Sequence, residues 1–327
     1  MTATIPPGHE IVIGTSGYSF PDWVGPFYPP GTRSGDFLGY YARHFGAVEV
    51  NSTYYRIPPP RMIEQMEQKT PPGFRFVVKL HQSMTHERAR DPALYQEFLA
   101  ALEPLKAAGK YDGLLAQFPW AFQRTDAALD HLEALRERLA GEPLFVEFRH
   151  ASWDAPETAP WLRERGLGFC AVDEPALEGL MPPVTMVTAP DAYVRFHGRN
   201  ARNWWGGRER GEEERRAPAP PRAAPQRRRT VRSPATGPDL FGEVAAEALP
   251  APGNAPAPAV LSTDRYDYDY PEAELRGWLD KIRDLASQAR RTYLFFNNCH
   301  AGQAARNAKL MTELLRQQKL PVATPQR

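Results

Sequence analysis

The segment LFVEFRH at residues 144–150 is a short apolar run that ends in charged side chains, and seven other segments repeat that design. In chain order the eight runs are IVIGTSG (11–17), AVEVNST (47–53), RFVVKLH (75–81), GLLAQFP (113–119), LFVEFRH (144–150), LGFCAVD (167–173), AYVRFHG (192–198) and RTYLFFNN (291–298). Their interiors are rich in Val, Ile, Leu and Phe, as expected of parallel strands that are buried on both faces.

Helix-like segments separate most of these runs and lie at 33–45, 91–109, 125–140, 156–165, 272–289 and 302–317. Strands that alternate with helices predict an α/β protein, and eight such units predict a closed (β/α)8 TIM barrel in a single domain. The C-terminal ends of barrel strands converge on one mouth. The polar residues that end the eight runs are therefore expected to form one site.

Four of the runs carry a pair of polar residues at positions i and i+2, which share one face of a strand. The pairs are Glu49 with Asn51, Lys79 with His81, Glu147 with Arg149, and Arg195 with His197. The residues between them are apolar, so the polar pairs are expected to point into the upper barrel while the hydrophobic side chains pack against helices. The structural alternative is that the pairs fill the barrel with buried ion pairs and hydrogen-bonded layers.

Composition limits the class of protein. The chain has 327 residues and a formal net charge of +1, so no global field favours nucleic acid or a membrane. Cys170 and Cys299 are its two cysteines and neither lies in a CxxC motif, which disfavours a disulfide framework or a structural zinc site. The first residues, MTATIPPGHE, lack the features of a signal peptide, and no run of 18 apolar residues occurs. A soluble cytoplasmic protein without a membrane partner is expected.

One segment interrupts the barrel pattern after the seventh strand. Residues 206–262 carry Pro-rich and Ala-rich runs, and between 208 and 233 nine Arg stand against four Glu. This composition predicts disorder, because it buries too little apolar surface to offset chain entropy. The predicted organisation is an N-terminal tail (1–9), strands 1–7 (10–205), the insertion (206–262), the barrel completion (263–318) and a C-terminal tail (319–327).

The insertion suggests two partners. Its excess of arginine favours an electrostatic tether to nucleic acid. Asp239, Leu240 and Phe241 form an isolated apolar patch that resembles the end of peptides bound by bacterial sliding clamps. Gly237 and Pro238 stand where that pattern has Gln-Leu, so clamp docking is a hypothesis with an incomplete motif.

Eight ordered motifs resemble the YecE-like family, also called domain of unknown function 72. They are GTSGYSFPDWVGPFYP (14–29), VEVNSTYYRIP (48–58), FRFVVKLHQSMTH (74–86), LLAQFPWAF (114–122), VEFRHASW (146–153), YVRFHGRN (193–200), RYDYDY (265–270) and FFNNCHAGQAARNA (295–308). The resemblance implies a TIM barrel, in agreement with the strand count, and assigns no reaction. The insertion departs from the family pattern, which affects the loop over the site and not the barrel.

The polar strand ends provide the candidate site residues. The candidate catalytic residues are Glu49, Lys79, Glu147, Asp173 and His197. The candidate substrate-binding residues are Asn51, His81, Gln117, Arg149, Arg195, Asn297 and Asn298. Carboxylates mixed with cations suit a small polar anionic substrate, with a sugar-like compound as one option. The planar fork of arginine binds carboxylate or phosphate with two hydrogen bonds.

Several roles remain open. Arg149 and Arg195 are either anion clamps or partners of Glu147 and Glu49 within the barrel. Two carboxylates on separate strands can act as general acid and as base or nucleophile. Lys79 forms either a Schiff base or a salt bridge. Backbone N–H groups at His300–Gly302 are a candidate anion site.

The sequence predicts no cofactor and no metal. GxGxxG dinucleotide-binding motifs and Walker-type P-loops are absent. Glu49, Glu147, Asp173, His81 and His197 are residue types that ligate a divalent ion, but the three cations of the mouth would repel it. The leading hypothesis is a cofactor-independent acid/base enzyme, a hydrolase, lyase or isomerase. The alternatives are a nucleic-acid-processing or nucleic-acid-binding protein and a non-catalytic scaffold. Glu147→Gln and Arg149→Ala are expected to abolish ligand binding or turnover with the fold largely intact.

Overall fold

The computed structural model of the protein describes residues 4–205 and 264–325. Eight parallel strands pair in chain order and the eighth pairs with the first, so the sheet closes into a barrel. The strands are β1 (Glu10–Ser16), β2 (Ala47–Val50), β3 (Arg75–Lys79), β4 (Tyr111–Gln117), β5 (Leu144–Glu147), β6 (Leu167–Asp173), β7 (Asp191–Phe196) and β8 (Arg291–Phe296). The predicted TIM barrel is confirmed.

Helices lie between most strands of the described chain. They are α1 (Phe37–Tyr41), α2 (Pro60–Gln68), α3 (Gln82–Thr85), α4 (Pro92–Ala101), α5 (Glu103–Ala107), α6 (Asp126–Arg138), α7 (Thr158–Glu164), α8 (Glu272–Arg276), α9 (Leu279–Gln288) and α10 (Gln303–Gln317). The sequence pattern did not predict α2 or α3. The pattern also merged α4 with α5 and α8 with α9, because their apolar periodicity continues across a short break.

One connection departs from the repeated βα pattern. Between β6 and β7 the described chain forms no helix, and residues 174–190 run as an irregular loop. Pro175, Pro182, Pro183 and Pro190 explain this, since proline removes a backbone donor and clashes with the preceding turn of a helix. The loop still reaches the barrel mouth, because Met181 N donates to the Arg149 carbonyl at 3.0 Å.

Most strands end earlier than the sequence predicted. For example, β5 stops at Glu147 and β7 at Phe196, so Arg149 and His197 lie just beyond the last ladder residues. Their direction is nevertheless maintained by neighbouring strands, since His197 N donates to the Asp173 carbonyl at 2.9 Å. The polar end of β7 is therefore an extension of the barrel wall and not a free loop.

A ring of inner hydrophobic residues positions the site. Each strand contributes to this buried cluster, which contains Val12, Ala47, Val77, Leu115, Phe145, Cys170, Tyr193, Tyr293 and Phe295. The residues two positions further along face the same interior. They include Glu49, Lys79, Gln117, Glu147, Arg195 and Asn297. The interior therefore changes from apolar to polar within one layer, just below the mouth.

No helix of the described residues is both long enough and apolar enough to cross a membrane. The predictions made for 206–262, namely its disorder, its nucleic-acid tether and the clamp motif at Asp239–Phe241, fall outside the described residues.

Candidate active site

A cavity of about 110 Å³ lies at the C-terminal ends of the strands. It is lined by Asn51, Tyr54, Tyr55, Lys79, Gln117, Arg149, Arg195, Tyr266 and Asn297. Three of these side chains are cations, and none of the described lining residues is acidic. The structure thus brings together six of the predicted site residues, and it adds three tyrosines.

Beneath the cavity, Arg195 joins two carboxylates from different strands. Its Nη2 donates to Glu49 Oε1 at 2.6 Å and its Nη1 donates to Glu147 Oε2 at 2.6 Å. All three side chains are at most 1% exposed. Tyr193 also donates its hydroxyl to Glu49 Oε2 at 2.7 Å. Glu49 and Glu147 therefore form the floor of the site, where their charges are matched by a cation.

Arg149 extends this network toward the rim. Its Nε donates to Glu147 Oε1 at 2.5 Å and its Nη1 donates to Glu174 Oε2 at 3.1 Å. The other Glu174 oxygen accepts from the Met181 amide at 3.2 Å. Burial raises the pKa of Glu174 to about 8, although Arg149 opposes that shift. Both arginines thus have carboxylate partners within the barrel. The sequence left this pairing open as the alternative to an anion clamp.

Glu147 is held ionised by its neighbours. Burial alone would raise the pKa of its carboxyl, but Arg149, Arg195 and His197 together keep that pKa well below its usual range. A carboxylate of this kind is a poor proton donor near neutral pH. The expected pairing of Glu49 and Glu147 as general acid and base therefore gains no support from their surroundings.

Lys79 has a different environment. Its Nζ donates to Gln117 Oε1 at 2.8 Å and lies 4.4 Å from the centre of the Tyr54 ring. Among the described residues no carboxylate lies within 4.0 Å of this nitrogen, so the predicted salt bridge is not formed there. Desolvation, with Arg195 as the next cause, lowers the pKa of Lys79 to about 7. The amine therefore exchanges protons near neutral pH.

His197 lies between the floor and the cavity wall. Asn297 Nδ2 and His197 Nδ1 are 3.0 Å apart, and because the amide nitrogen is a donor, Nδ1 accepts. The ring proton is then on Nε2, which lies 3.2 Å from Glu147 Oε1. Burial lowers the pKa of His197 to about 3, so the ring is neutral at physiological pH. This arrangement makes His197 a fixed neighbour of Glu147 below the cavity.

Two candidate residues point away from the mouth. Asp173 accepts from Tyr270, Trp278 and Arg199 in the helical layer. Asn298 donates to the Tyr268 carbonyl and to Asn307 Oδ1 of α10. Side chains alternate along a strand, and Asp173 and Asn298 each lie three residues after an inward-facing residue, Cys170 and Phe295. They therefore face outward, and the expectation that they share the mouth is wrong.

His81 also departs from its expected place. Its Nδ1 accepts from the Ser83 amide at 3.3 Å and so caps the N-terminus of α3. It does not line the cavity described above. The chain turns into α3 directly after Lys79, so the strand alternation that paired the two residues stops before His81.

The alternation also identifies the residue that the sequence analysis missed. Counting inward-facing positions from Cys170 in steps of two gives Val172 and then Glu174. The sequence analysis chose Asp173 because it is the last polar residue of the run, but Asp173 lies on the outer face of the strand. Tyr266 was missed for another reason: it follows the long insertion, and no local pattern connects it to the mouth.

The predicted anion site at His300–Gly302 is occupied by the protein itself. Ala301 N donates to Asp22 Oδ2 at 2.7 Å, so this amide already has an acidic partner. The aromatic residues Trp23, Phe27 and Tyr28, which follow β1, pack in the buried core and do not line the cavity. Tyr54 and Tyr55, which follow β2, instead reach the cavity.

We expect the purified protein to hold no stoichiometric metal. The described residues contain no group of three or more His, Cys, Asp or Glu arranged to hold an ion. The physical reason for the prediction is that Arg149 and Arg195 already neutralise the carboxylates that a cation would need. Elemental analysis of protein prepared without chelator checks this, and stoichiometric zinc, manganese or iron would overturn it.

The sequence from residue 12 to residue 327 matches the family described as "Protein of unknown function DUF72". Over 320 residues it is 29% identical to the UPF0759 protein YunF of Bacillus subtilis (strain 168), covering 93% of this chain and 94% of YunF. It is 33% identical over 162 residues to the UPF0759 protein YecE of Escherichia coli (strain K12), covering 48% of this chain and 55% of YecE.

Solved structures show the same fold. A DUF72 family protein from Thermotoga maritima MSB8 superposes with a TM-score of 0.72 at 36% identity, covering 94% of this chain and 100% of that chain. A DUF72 family protein from Enterococcus faecalis V583 gives a TM-score of 0.70 at 23% identity, covering 94% of this chain and 95% of that chain. The second similarity concerns the fold alone.

Proposed function

The chain belongs to the DUF72 family, whose description assigns no activity, and from the geometry of its barrel mouth we propose a cofactor-independent hydrolase, lyase or isomerase that acts on a small polar anionic substrate. The observation that carries the proposal is the lining of the cavity. Lys79, Arg149 and Arg195 line it, and the carboxylates that balance the arginines are not among the described lining residues. An anion in the cavity therefore meets cations and amides first.

The size of the cavity limits the substrate. Its volume of about 110 Å³ is room for several water molecules or a compound of a few heavy atoms. Asn51, Gln117 and Asn297 add amide groups that can donate to or accept from a polar ligand. A compound with few atoms and several polar groups fits these walls better than an apolar one.

Within this proposal Lys79 is the acid/base residue. Its pKa of about 7 lies near the operating pH, where a general acid or base is most effective. Glu49, Glu147 and His197 act as positioning residues, since they hold Arg195 and Arg149 from below. Arg149 and Arg195 bind the substrate through the guanidinium nitrogens that are not bonded to Glu49, Glu147 or Glu174.

We expect Lys79→Gln to weaken the binding of oxalate or inorganic phosphate by about 10–100-fold, the equivalent of one charged hydrogen bond. Because protonated Lys79 attracts the anion, the affinity of the unmodified protein for oxalate, whose own charge is constant near neutral pH, should fall as the pH rises through about 7. Isothermal titration calorimetry at several pH values measures both effects.

Lys309→Gln is the matched control. Lys309 also has an amine over an aromatic ring, 4.9 Å from the centre of Phe27, and burial lowers its pKa too. It lies on α10 outside the cavity, so its replacement should leave anion binding unchanged. Equal losses in both variants, or no anion binding by the unmodified protein, would contradict the proposal.

A further inference from the structure

We propose that Lys79 forms a covalent imine with the carbonyl carbon of a small oxo acid held in the mouth cavity. The inference rests on the function proposed above and names its substrate class, a carbonyl compound whose carbonyl group is next to a carboxylate.

The position of the Lys79 amine supports covalent chemistry. Within the described part of the chain, it donates its hydrogen bond to a neutral amide oxygen, Gln117 Oε1, at 2.8 Å. Two other lysines with little exposure are paired with carboxylates: Lys106 with Glu142 at 2.6 Å and Lys110 with Glu67 at 2.7 Å. An ion pair keeps an ammonium protonated, whereas a neutral acceptor leaves the amine free to lose its proton.

The neighbouring arginines strengthen this effect. Desolvation and the charge of Arg195 lower the pKa of Lys79 to about 7, so much of the amine is unprotonated at neutral pH. An amine activated by burial and by an adjacent cation is one of the known ways to obtain a nucleophilic lysine. The unprotonated nitrogen lies on the wall of the cavity, where a bound carbonyl group can reach it.

Two unpaired polar atoms point to a polar ligand. In the described part of the chain, Arg195 Nε and Asn51 Oδ1 are buried and have no hydrogen-bond partner. Both residues line the cavity. An unpaired buried polar group is destabilising, and a ligand with a carboxylate and a hydroxyl group can satisfy a donor and an acceptor at once. An oxo acid supplies the carboxylate, and its carbonyl oxygen becomes a hydroxyl group when the amine adds.

The reaction balances without a further reagent. The nitrogen lone pair of Lys79 forms a C–N bond to the carbonyl carbon, and the C–O double bond becomes a single bond in the carbinolamine. The carbonyl oxygen then leaves as water with the two hydrogens that the amine contributed. A proton from solvent converts the resulting imine into the iminium, which withdraws electrons from the adjacent carbon.

Trapping with sodium cyanoborohydride tests the inference. The full chain is incubated with glyoxylate and the reductant, and peptide mass spectrometry locates lysines that gained a carboxymethyl group. We expect Lys79 to react roughly tenfold or more faster than Lys309 at pH 7, since each unit of pKa changes the unprotonated fraction about tenfold. The rate at Lys79 should rise with pH through about 7 and then level off.

Two controls separate the possible results. Lys79→Arg retains a positive charge but has no amine that forms an imine, so carboxymethylation at this position should disappear. Oxalate, which resembles glyoxylate but has no reactive carbonyl group, should slow the labelling of Lys79 and leave Lys309 unaffected.

The outcome distinguishes this inference from the proposed function. If oxalate binds in a Lys79-dependent manner but glyoxylate labels Lys79 no faster than Lys309, the imine is refuted and the anion site remains. If neither oxalate nor phosphate binds and no selective labelling occurs, both proposals fail. Selective, saturable and oxalate-sensitive labelling of Lys79 supports the imine.

Discussion

Glu147→Gln is expected to lower the free energy of unfolding by about 3–5 kcal/mol, because breaking a buried ion pair by removing one charge leaves the partner uncompensated. Glu147 is fully buried and accepts from Arg149 at 2.5 Å and from Arg195 at 2.6 Å. Glutamine keeps the shape of the side chain but removes the charge that both guanidinium groups require. Denaturation by urea, followed by circular dichroism, measures the change.

Glu272→Gln is the control for this substitution. Glu272 forms a salt bridge with Arg276 at 2.6 Å, but both side chains are about half exposed. Such surface pairs contribute about 0–1 kcal/mol. A loss below about 1 kcal/mol in Glu147→Gln as well would mean that the buried network does not stabilise the barrel.

The pH dependence of this effect has a definite sign. The pKa of Glu147 in the folded protein lies below its value in the unfolded chain. Its contribution to stability is therefore fully present above the unfolded pKa of about 4.3 and is lost as the pH falls through the lower folded value. The difference in stability between the unmodified protein and Glu147→Gln should narrow in strong acid.

The structure changes what the sequence predicted for these residues. From alternation alone, Glu147→Gln and Arg149→Ala were expected to remove function and leave the fold largely intact. The observed network instead makes both residues part of one buried ion cluster with Arg195. Loss of function in either variant is therefore informative only after its stability has been measured.

Asp173→Asn is expected to cost about 1.5–3 kcal/mol of stability, the range for hydrogen bonds to a charged group. Asp173 is 1% exposed and accepts from Trp278 Nε1 at 2.5 Å, Tyr270 Oη at 2.7 Å and the Arg199 guanidinium. Asparagine replaces one of the two acceptor oxygens with a donor, which then faces another donor. Urea denaturation again gives the measurement.

Two further observations complete that test. Asp280→Asn, at an exposed residue paired with Arg283, should change stability by less than about 1 kcal/mol. Oxalate binding should persist in folded Asp173→Asn protein, because Asp173 faces the helical layer and not the cavity. Loss of binding without loss of stability would restore the catalytic role that the sequence suggested for Asp173.

Local patterns determined the barrel and much of its polar interior. Runs such as LFVEFRH have an apolar body, a charged end and a period of two, and these features follow from strand geometry within a few residues. They correctly placed Lys79, Glu147 and Arg195 inside the barrel and Gln117 at its mouth. Among the strand-end candidates, the errors occurred where the strand had ended, as at His81, or where the face was miscounted, as at Asp173 and Asn298.

Only the tertiary structure decided which polar groups pair. Arg195 and Glu49 are 146 positions apart in the chain, yet their side chains meet at 2.6 Å. That distance depends on the closure of the sheet between β8 and β1 and on the register of every strand between them, which no local pattern contains. The same closed sheet gives Arg195 carboxylate partners from β2 and β5, while the register between β3 and β4 gives Lys79 an amide partner. The sequence thus determined which residues face the interior, while the packing of the strands determined that, of the three cations lining the cavity, Lys79 has an amide and not a carboxylate as its partner among the described residues.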